Sequence, residues 1–425
     1  MKNTLCLFVT LLLPASITTT LQATPHGYRP IIQNDLNTSV YDWNALHTRW
    51  INMRALGMIG LDASHFYQDK KSQKVTGDLS RYDRWDVRGL RIGAAGTINF
   101  EHPWTYLFSG SINTEMRDYD SQTDDAFTLL DAVVTLPVWG TYGRMQIGKM
   151  KAPISMERTM GMVFEQVMER PMHLDALLPT RNIGLSLSDL ILKKRLRWRV
   201  GIYNDWLERG KPDIENSNTI IAGRVTGVVY ENPETLQLLH FGAAYRYEKV
   251  KEGSVRYDVG PEFYFCDPWL DTGEISAKHT DTINLELTYL DGPLWVASEY
   301  THTAVDSLDD TQLHFGGYHI AFNYFLTGEH RGYNKRKGNV RRITPVLDFD
   351  KGGWGALEAS VRYSRMDLDD RTIHGGKMNI WSYGLVWHPR RDHQLHLQWS
   401  HVSLDKDQTQ SHTGILQIRW VWVID

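Results

Sequence analysis

Cysteine is nearly absent from the sequence. Only Cys6 and Cys266 occur among the 425 residues. Cys6 falls in an N-terminal stretch that has Lys2 near its start, an apolar run at residues 5–13 and a neutral polar tract after it. This is the pattern of a secretory signal peptide, which we predict at residues 1–23. Its removal leaves one cysteine, which excludes an intramolecular disulfide.

Long apolar runs and an excess of charge are also lacking. Beyond residue 23 no run approaches the roughly 18 apolar residues that a membrane helix needs. Without Lys2, 45 of the 46 lysines and arginines remain against 50 aspartates and glutamates, which gives a net charge of −5. The sequence therefore predicts no nucleic-acid partner, and any preference for anions must come from the local placement of cations.

What the chain does have is alternation of polar and apolar residues with a period of two, the pattern of a β-strand. In residues 195–202, arginines at 195, 197 and 199 occupy one face, while Leu196, Trp198, Val200 and Ile202 occupy the other. A large apolar face opposite a charged face is typical of a strand between lipid and water.

The predicted connections between strands alternate in length. Short ones fall at residues 101–103, 137–140, 232–235, 291–293 and 388–392. Longer polar ones fall at residues 67–83, 117–125, 154–179, 205–217, 249–278, 367–377 and 405–411. The exception is residues 327–353, a long connection on the short-turn side.

Tight turns at one end and long loops at the other are typical of a Gram-negative outer-membrane barrel in contact with outer-membrane lipid. The predicted fold class is all-β, a transmembrane antiparallel β-barrel of about 16 strands. We assign residues 24–50 to an N-terminal periplasmic segment and residues 51–425 to the barrel. Five tryptophans near the short-turn end are predicted to form an aromatic girdle at the membrane interface. They are Trp104, Trp139, Trp295, Trp354 and Trp387.

The third long connection, residues 154–179, shows no alternation. It carries Met156-Glu-Arg158 and Met168-Glu-Arg-Pro171, which are too apolar and too charged for a plain linker. Long loops without a regular period are usually functional or disordered. We predict that this loop folds back into the barrel and narrows it.

Strand phase places a set of arginines on the lumen side of the predicted barrel. An arginine facing lipid at mid-membrane would cost about 2 to 4 kcal/mol, which constrains the phase. Guanidinium groups in a water-filled lumen keep their charge and suit phosphate or carboxylate. The set is Arg91, Arg144, Arg195, Arg197, Arg199, Arg224, Arg246, Arg362 and Arg419.

Several segments, in order along the chain, resemble the phosphate-selective porin O/P family of outer-membrane anion channels. The segments are Gly148-Lys-Met-Lys-Ala-Pro-Ile-Ser-Met-Glu-Arg158 with Val167-Met-Glu-Arg170, Arg181-Asn-Ile-Gly184, Phe325-Leu-Thr-Gly-Glu-His-Arg331, Gly352-Gly-Trp-Gly-Ala-Leu-Glu358 with Arg362-Tyr-Ser364, and Leu385-Val-Trp-His-Pro389.

The resemblance implies a homotrimer of sixteen-stranded barrels whose third loop folds inward and whose basic residues pass phosphate or polyphosphate. Basic residues of the family's inward loop correspond to Arg158 and Arg170. The predicted anion-binding residues are Arg158, Arg170, Arg91, Arg144, Arg197, Arg199, Arg224 and Arg246, with Arg158 at the narrowest point.

Other functions stay open. In a general diffusion porin the lumenal arginines would pair with acidic residues, and Glu286, Glu299 and Glu358 have inward phase. An outer-membrane barrel enzyme would need a nucleophile with a base in reach, and the 17 histidines show no recurrent spacing. A sugar channel would need inward aromatic residues, whereas most tryptophans and tyrosines have outward phase. No motif for a metal or a cofactor occurs, so neither is predicted.

Overall fold

The computed structural model describes the chain from residue 43 to residue 425, with gaps. The described ranges are residues 43–112, 127–165, 167–207, 215–251 and 253–425. The predicted signal peptide and most of the predicted periplasmic segment lie outside these ranges. Within residues 43–50, the strand Ala45–His47 pairs with residues 52–54 of the first barrel strand.

Sixteen antiparallel strands form the barrel, and each strand pairs with its neighbour in the sequence. The last strand pairs with the first, from Gly57↔Ile424 to Gln68↔Thr413, which closes the sheet. The predicted fold class is confirmed. The strands are β1 Ile51–Gln68, β2 Trp85–Ile98, β3 Trp104–Ile112, β4 Phe127–Pro137, β5 Arg144–Met150, β6 Asn182–Ile191, β7 Leu196–Asn204, β8 Thr219–Asn232, β9 Gln237–Lys249, β10 Ile275–Asp291, β11 Leu294–Ser307, β12 Gln312–Phe325, β13 Ala356–Asp370, β14 Ile373–Arg390, β15 His393–Lys406 and β16 Thr409–Ile424.

Three long connections enter the barrel. We call residues 151–181, between β5 and β6, L3, and residues 250–274, between β9 and β10, L5. Residues 326–355 connect β12 to β13 at the short-turn end and are called the turn insertion. The inward-folded third loop is therefore confirmed, and two further segments share the lumen with it.

Short elements occur within these connections and in the first long loop. The α-helices are α1 Lys70–Thr76, α2 Met156–Thr159 and α3 Met172–Leu177, and the 3-10 helices are Ser80–Tyr82, Met162–Phe164 and Phe349–Lys351. Two-residue strands are Ser254–Val255, Asp258–Val259, Leu270–Asp271, Tyr333–Asn334 and Asn339–Val340. In the described part of the chain, none of the helices is long and apolar enough to cross a membrane.

Two predicted long loops are wrong. Residues 371–372 join β13 to β14 and residues 407–408 join β15 to β16, so both connections are two-residue turns. Arg371 and Asp407 have positive φ angles of 51° and 52°, as tight hairpin turns require. The polar residues that indicated loops instead continue the strand pairing, for example at Asp369↔His374.

Strand β7 shows how side chains divide between the two faces of the barrel wall. Arg197 and Arg199 point inward and are each 9% exposed, whereas Val200 and Ile202 point outward and are 45% and 61% exposed. Arg195 was also predicted to face the lumen. It instead lies in the turn before β7 and is exposed, because the strand begins one residue later.

The aromatic girdle is confirmed only in part. Trp139 and Trp354 are exposed at the short-turn end, but Trp295 is 1% exposed inside the barrel. Trp295 pairs with Asn323 and shares the inward phase of Glu299, so its ring cannot reach lipid. It packs in the lumen, where the guanidinium of Arg331 lies 4.6 Å from the ring centroid.

Candidate anion path in the barrel lumen

Near the end of β5, three residues before L3, the backbone has a position where only glycine fits. Gly148 has a φ of 125°, and a Cβ atom there would lie 2.0 Å from the carbonyl oxygen of Ala132. The chain then turns into the lumen, where Ser155 caps α2 by accepting a hydrogen bond from the backbone N–H of Arg158 at 2.9 Å. Met156 and Leu174 are fully buried in apolar clusters. L3 is therefore packed by its own side chains against the wall.

Polar contacts fix L3 to the wall on its β10–β12 side. The backbone N–H of Glu157 donates to the carboxylate of Glu299 at 2.8 Å. The Nδ1 atom of His173 lies 2.9 Å from the hydroxyl of Thr301. Burial holds the pKa of His173 well below its ordinary value, which favours the neutral imidazole.

Arg158, the residue predicted at the narrowest point, directs its donors into L3 itself. Its guanidinium pairs with Asp175 and donates to the carbonyl oxygens of Leu178 at 2.6 Å and Pro179 at 3.1 Å. The residue is 5% exposed. These contacts hold the two ends of the loop together, and an anion-binding role for Arg158 stays a prediction.

Four cations meet where L3 leaves and rejoins the wall, and we call them the upper basic cluster: Arg91, Lys151, Arg170 and Arg181. Arg181 makes two hydrogen bonds to Asp131, at 3.1 Å and 3.0 Å. Lys151 donates to the carbonyl oxygen of Met160. Burial, followed by the charges of Arg170 and Arg181, holds the pKa of Lys151 well below its ordinary value.

Arg170 is the member of this cluster that L3 contributes from its middle. Its guanidinium lies 2.8 Å from Glu165 and donates to the carbonyl oxygen of Met160 at 3.2 Å. Burial raises the pKa of Glu165 to about 7, although Arg170 opposes this shift. Near neutral pH the carboxyl group of Glu165 is thus partly protonated, and it neutralises Arg170 incompletely.

A second group of arginines lines the wall towards the short-turn end, and we call it the lower basic cluster: Arg144, Arg197, Arg199 and Arg224. Arg199 donates to the hydroxyl of Ser186 at 3.1 Å and to the sulfur of Met150 at 2.9 Å. Since Met150 directly precedes Lys151 in the chain, Arg199 is the member of the lower cluster that contacts the start of L3. Arg197 donates to the carbonyl oxygen of Arg336 in the turn insertion at 2.6 Å.

Besides Arg158 and Arg170, two more of the predicted arginines are paired with carboxylates. Arg224 lies 2.6 Å from Glu286, and Arg246 lies 2.8 Å from Glu248. Such pairs cancel much of each charge. Among the residues that the structure describes, Arg144, Arg197, Arg199 and Lys151 have no carboxylate oxygen within 4.0 Å.

Acidic residues concentrate on the opposite side of L3. Glu157 faces His319 at 3.2 Å, and Glu299 accepts from Asn284 at 2.8 Å. In the described part of the lumen, the cations without a carboxylate within 4.0 Å thus lie on or next to β5 and β7, whereas β10 and β11 carry Glu286 and Glu299. Positive charge therefore predominates on that side of the lumen, although Asp131 of β4 also lies there.

Of the predicted anion-binding residues, Arg91 and Arg170 lie in the upper basic cluster. The lower basic cluster contains Arg144, Arg197, Arg199 and Arg224. Arg158 and Arg246 lie in neither cluster. Sequence reasoning missed Lys151 and Arg181. Lys151 follows the irregular Gly148, where strand phase is lost, and Arg181 directly precedes β6. Both residues flank the predicted inward loop, and this position could have indicated that they face the lumen.

A closed sixteen-stranded barrel with an inward third loop and a charged lumen defines an outer-membrane porin. The profile of the phosphate-selective porin O and P family matches residues 55–424, and the chain belongs to this family. The protein is located in the outer membrane, as predicted.

Individual similar proteins are distant. An uncharacterized protein of Caulobacter vibrioides is 31% identical over 189 residues, which cover 44% of this chain and 37% of that protein. An anion-selective porin from Comamonas acidovorans has a TM-score of 0.53 at 13% identity, with 88% of this chain and 100% of that chain covered. A trimer form of OmpT from Vibrio cholerae has a TM-score of 0.54 at 9% identity, with 88% and 99% covered. At these identities the two solved structures are similar in fold alone.

Proposed function

We propose that this porin passes small anions along the wall formed by β2 to β8, and that inorganic phosphate and polyphosphate are its preferred substrates. The observation that carries the proposal is the row of cations without carboxylate partners, Lys151, Arg199, Arg197 and Arg144, in the described part of the lumen. The family's description as phosphate-selective supports the same substrate class.

The spacing of these groups suits stepwise transfer. Arg197 and Arg199 are two residues apart on one strand face, which corresponds to about 7 Å. A phosphate bound at Arg199 therefore comes within reach of Arg197 before it has left Arg199. Several sites of moderate affinity replace part of the hydration shell without holding the ion long enough to stop transport. The planar guanidinium favours tetrahedral oxyanions over chloride because it offers paired donors.

A general diffusion porin is the second candidate. Arg158, Arg224 and Arg246 are neutralised by nearby carboxylates, so many of the lumenal arginines serve structure and not selectivity. Under this alternative the remaining cations are too few to exclude potassium. No arrangement of the described residues that we find supports the barrel enzyme or the sugar channel.

The reversal potential in a potassium chloride gradient across a planar bilayer separates the two candidates. We expect the sign of the reversal potential to show that chloride permeates more readily than potassium. We also expect added phosphate to block the chloride current. Arg199→Gln should weaken both effects, with the larger change at low salt because screening is then least. Arg371→Gln is the matched control, since Arg371 is exposed in the β13–β14 turn. A reversal potential near zero for the wild type would leave a general porin.

The predicted homotrimer has support in the uneven height of the barrel wall. Strand β5 has 7 residues, while β14 has 18. Seven residues tilted by about 45° span about 16 Å, which is less than the apolar band of about 25 Å. The short wall carries exposed apolar side chains such as Leu185, which is 43% exposed, and we propose that other copies of the chain cover it.

Oxidative cross-linking tests this assembly. A cysteine at position 185 should link copies in the membrane, whereas one at position 397, on the tall wall, should not. Leu397 is a matched control because it is also outward and 45% exposed. Linking at both positions, or at position 397 alone, would contradict the proposed interface.

A further inference from the structure

Glu262 of L5 places its carboxylate deep inside the barrel. One carboxylate oxygen accepts from the hydroxyl of Ser364 at 2.6 Å and from the backbone N–H of Met172 at 3.1 Å. The other accepts from the guanidinium of Arg362 at 2.5 Å. The side chain of Glu262 is fully buried. We call these four residues the Glu262 latch.

The three donors do not belong to L5. Arg362 and Ser364 lie on the inner face of β13, and Met172 lies in L3. Arg362 is also held independently, because its guanidinium donates to the carbonyl oxygen of Glu169 at 2.8 Å. A guanidinium, a hydroxyl and a backbone N–H that converge on one point make a binding site for an oxyanion. The wall and L3 would therefore present this site even if L5 moved away.

The backbone at Glu262 is unusual. Its φ is 55°, in the left-handed region that residues with a Cβ atom rarely adopt. Such a conformation persists only when the surroundings impose it, and it is often found in switch segments. Here the three hydrogen bonds to the carboxylate are the contacts that impose it.

The latch closes the space between L3 and L5. The gap beside it is lined by Glu169, Arg170, Met172 and Asp175 of L3 and by residues 259, 260 and 262–264 of L5, and its volume is about 10 Å³. That is room for about one water molecule, so a phosphate ion does not fit into this gap while Glu262 is bound. Tyr264, which also lines the gap, has its ring 3.6 Å from the guanidinium of Arg88.

We propose that Arg362, Ser364 and the backbone N–H of Met172 form an oxyanion-binding site that Glu262 occupies as an internal ligand. Free phosphate competes with the Glu262 carboxylate for these donors and thereby releases L5 from L3. The protein thus has a site outside the row of cations on β2 to β8, and its occupancy couples the anion concentration to the position of L5. This inference does not depend on which ion the pore conducts.

Cys266 offers a direct measurement of L5 release. It lies on L5, is 1% exposed and is the one cysteine in the described part of the chain. The rate at which a small charged thiol reagent modifies Cys266 in the folded, detergent-solubilised protein therefore reports opening of the loop. We expect Glu262→Gln to raise this rate several-fold, because the neutral amide loses the charge-assisted hydrogen bond to Arg362.

Glu274→Gln is the matched control, since Glu274 is an exposed carboxylate of the same loop bonded to Ser254. It should leave the rate unchanged. Ser364→Ala removes one donor, keeps the Arg362 ion pair and should give an intermediate rate. This variant also serves if Glu262→Gln fails to fold.

Phosphate should raise the rate for the wild type relative to chloride at equal ionic strength, and should have no such effect on Glu262→Gln. Equal rates for the wild type, Glu262→Gln and Ser364→Ala would overturn the latch. A wild-type rate that does not respond to phosphate would overturn the competition. Neither result depends on current through the pore, so failure here is distinguishable from failure of the proposed anion selectivity.

Discussion

Lys151 gives the sharpest test of the proposed anion path. Its ammonium group lies among Arg91, Arg170 and Arg181, and its pKa is held well below the ordinary value by burial and by these neighbours. Replacement by glutamine removes one positive charge from the upper basic cluster and keeps a hydrogen-bond donor for the carbonyl oxygen of Met160. The change therefore acts mainly on electrostatics.

The size of the effect follows from Coulomb's law. Two unit charges about 4 Å apart interact by about 1 kcal/mol in bulk water and by about 4 kcal/mol at an effective dielectric constant of about 20. The half-buried Lys151 next to a hydrated lumen lies between these limits. We expect Lys151→Gln to weaken phosphate binding by about 1 to 2 kcal/mol, which corresponds to a block of chloride current about 5 to 30 times weaker.

The lowered pKa adds a dependence on pH with a defined sign. An ordinary lysine has a pKa of about 10.4, and the pKa of Lys151 is lower than this ordinary value. As pH rises through the lowered pKa, the wild-type pore loses one positive charge and its preference for anions falls. Lys151→Arg keeps its charge over the whole range, because guanidinium stays protonated, so its preference should not fall in this window.

The assay is the reversal potential and the phosphate block in planar bilayers, measured over a pH series for the wild type, Lys151→Gln and Lys151→Arg. Lys71→Gln is the control, since Lys71 is exposed on α1. The reasoning would be refuted if the wild type and Lys151→Arg showed the same pH profile, or if Lys151→Gln and Lys71→Gln had equal effects.

Two further predictions concern the loop and the closing strand. Arg158→Ala leaves Asp175 and two carbonyl oxygens of L3 without their partner. We expect this to destabilise the loop by about 2 to 3 kcal/mol, which is less than for a fully buried ion pair because the side chain of Asp175 is 24% exposed. Limited proteolysis should then cut L3 faster, and an unchanged rate would contradict the structural role. Trp422→Ala should slow barrel assembly, measured as the heat-modifiable folded fraction, because Trp422 lies on the closing strand β16, where it pairs with Ile59 of β1. An equal effect of Trp420→Ala, on the same outward face, would contradict a specific role of Trp422.

The period-two pattern of the sequence was enough to determine the wall of the barrel. Lipid tolerates few charges and the lumen is wet, so alternation in β7 fixed which way Arg197 and Arg199 point. The missing alternation at residues 154–179 likewise indicated the inward loop, whereas the lengths of the other connections were predicted only in part, because the polar residues near 371 and 407 continue the strand pairing. Strand phase would also have placed Trp295 correctly. Trp295 shares the inward phase of Glu299, but it was assigned to the aromatic girdle because it is close to the short-turn end.

Only the tertiary structure decided which lumenal charges are compensated. Arg158 is paired with Asp175, 17 positions away, and Arg224 with Glu286, 62 positions away. Strand phase states that a side chain points inward, but it does not state which carboxylate from another strand or loop meets it. The same holds for Glu262, whose donors lie 90 to 102 positions distant. Electrostatic energy depends on separation in space, and a chain that folds three long segments into one lumen makes that separation unrelated to distance along the sequence.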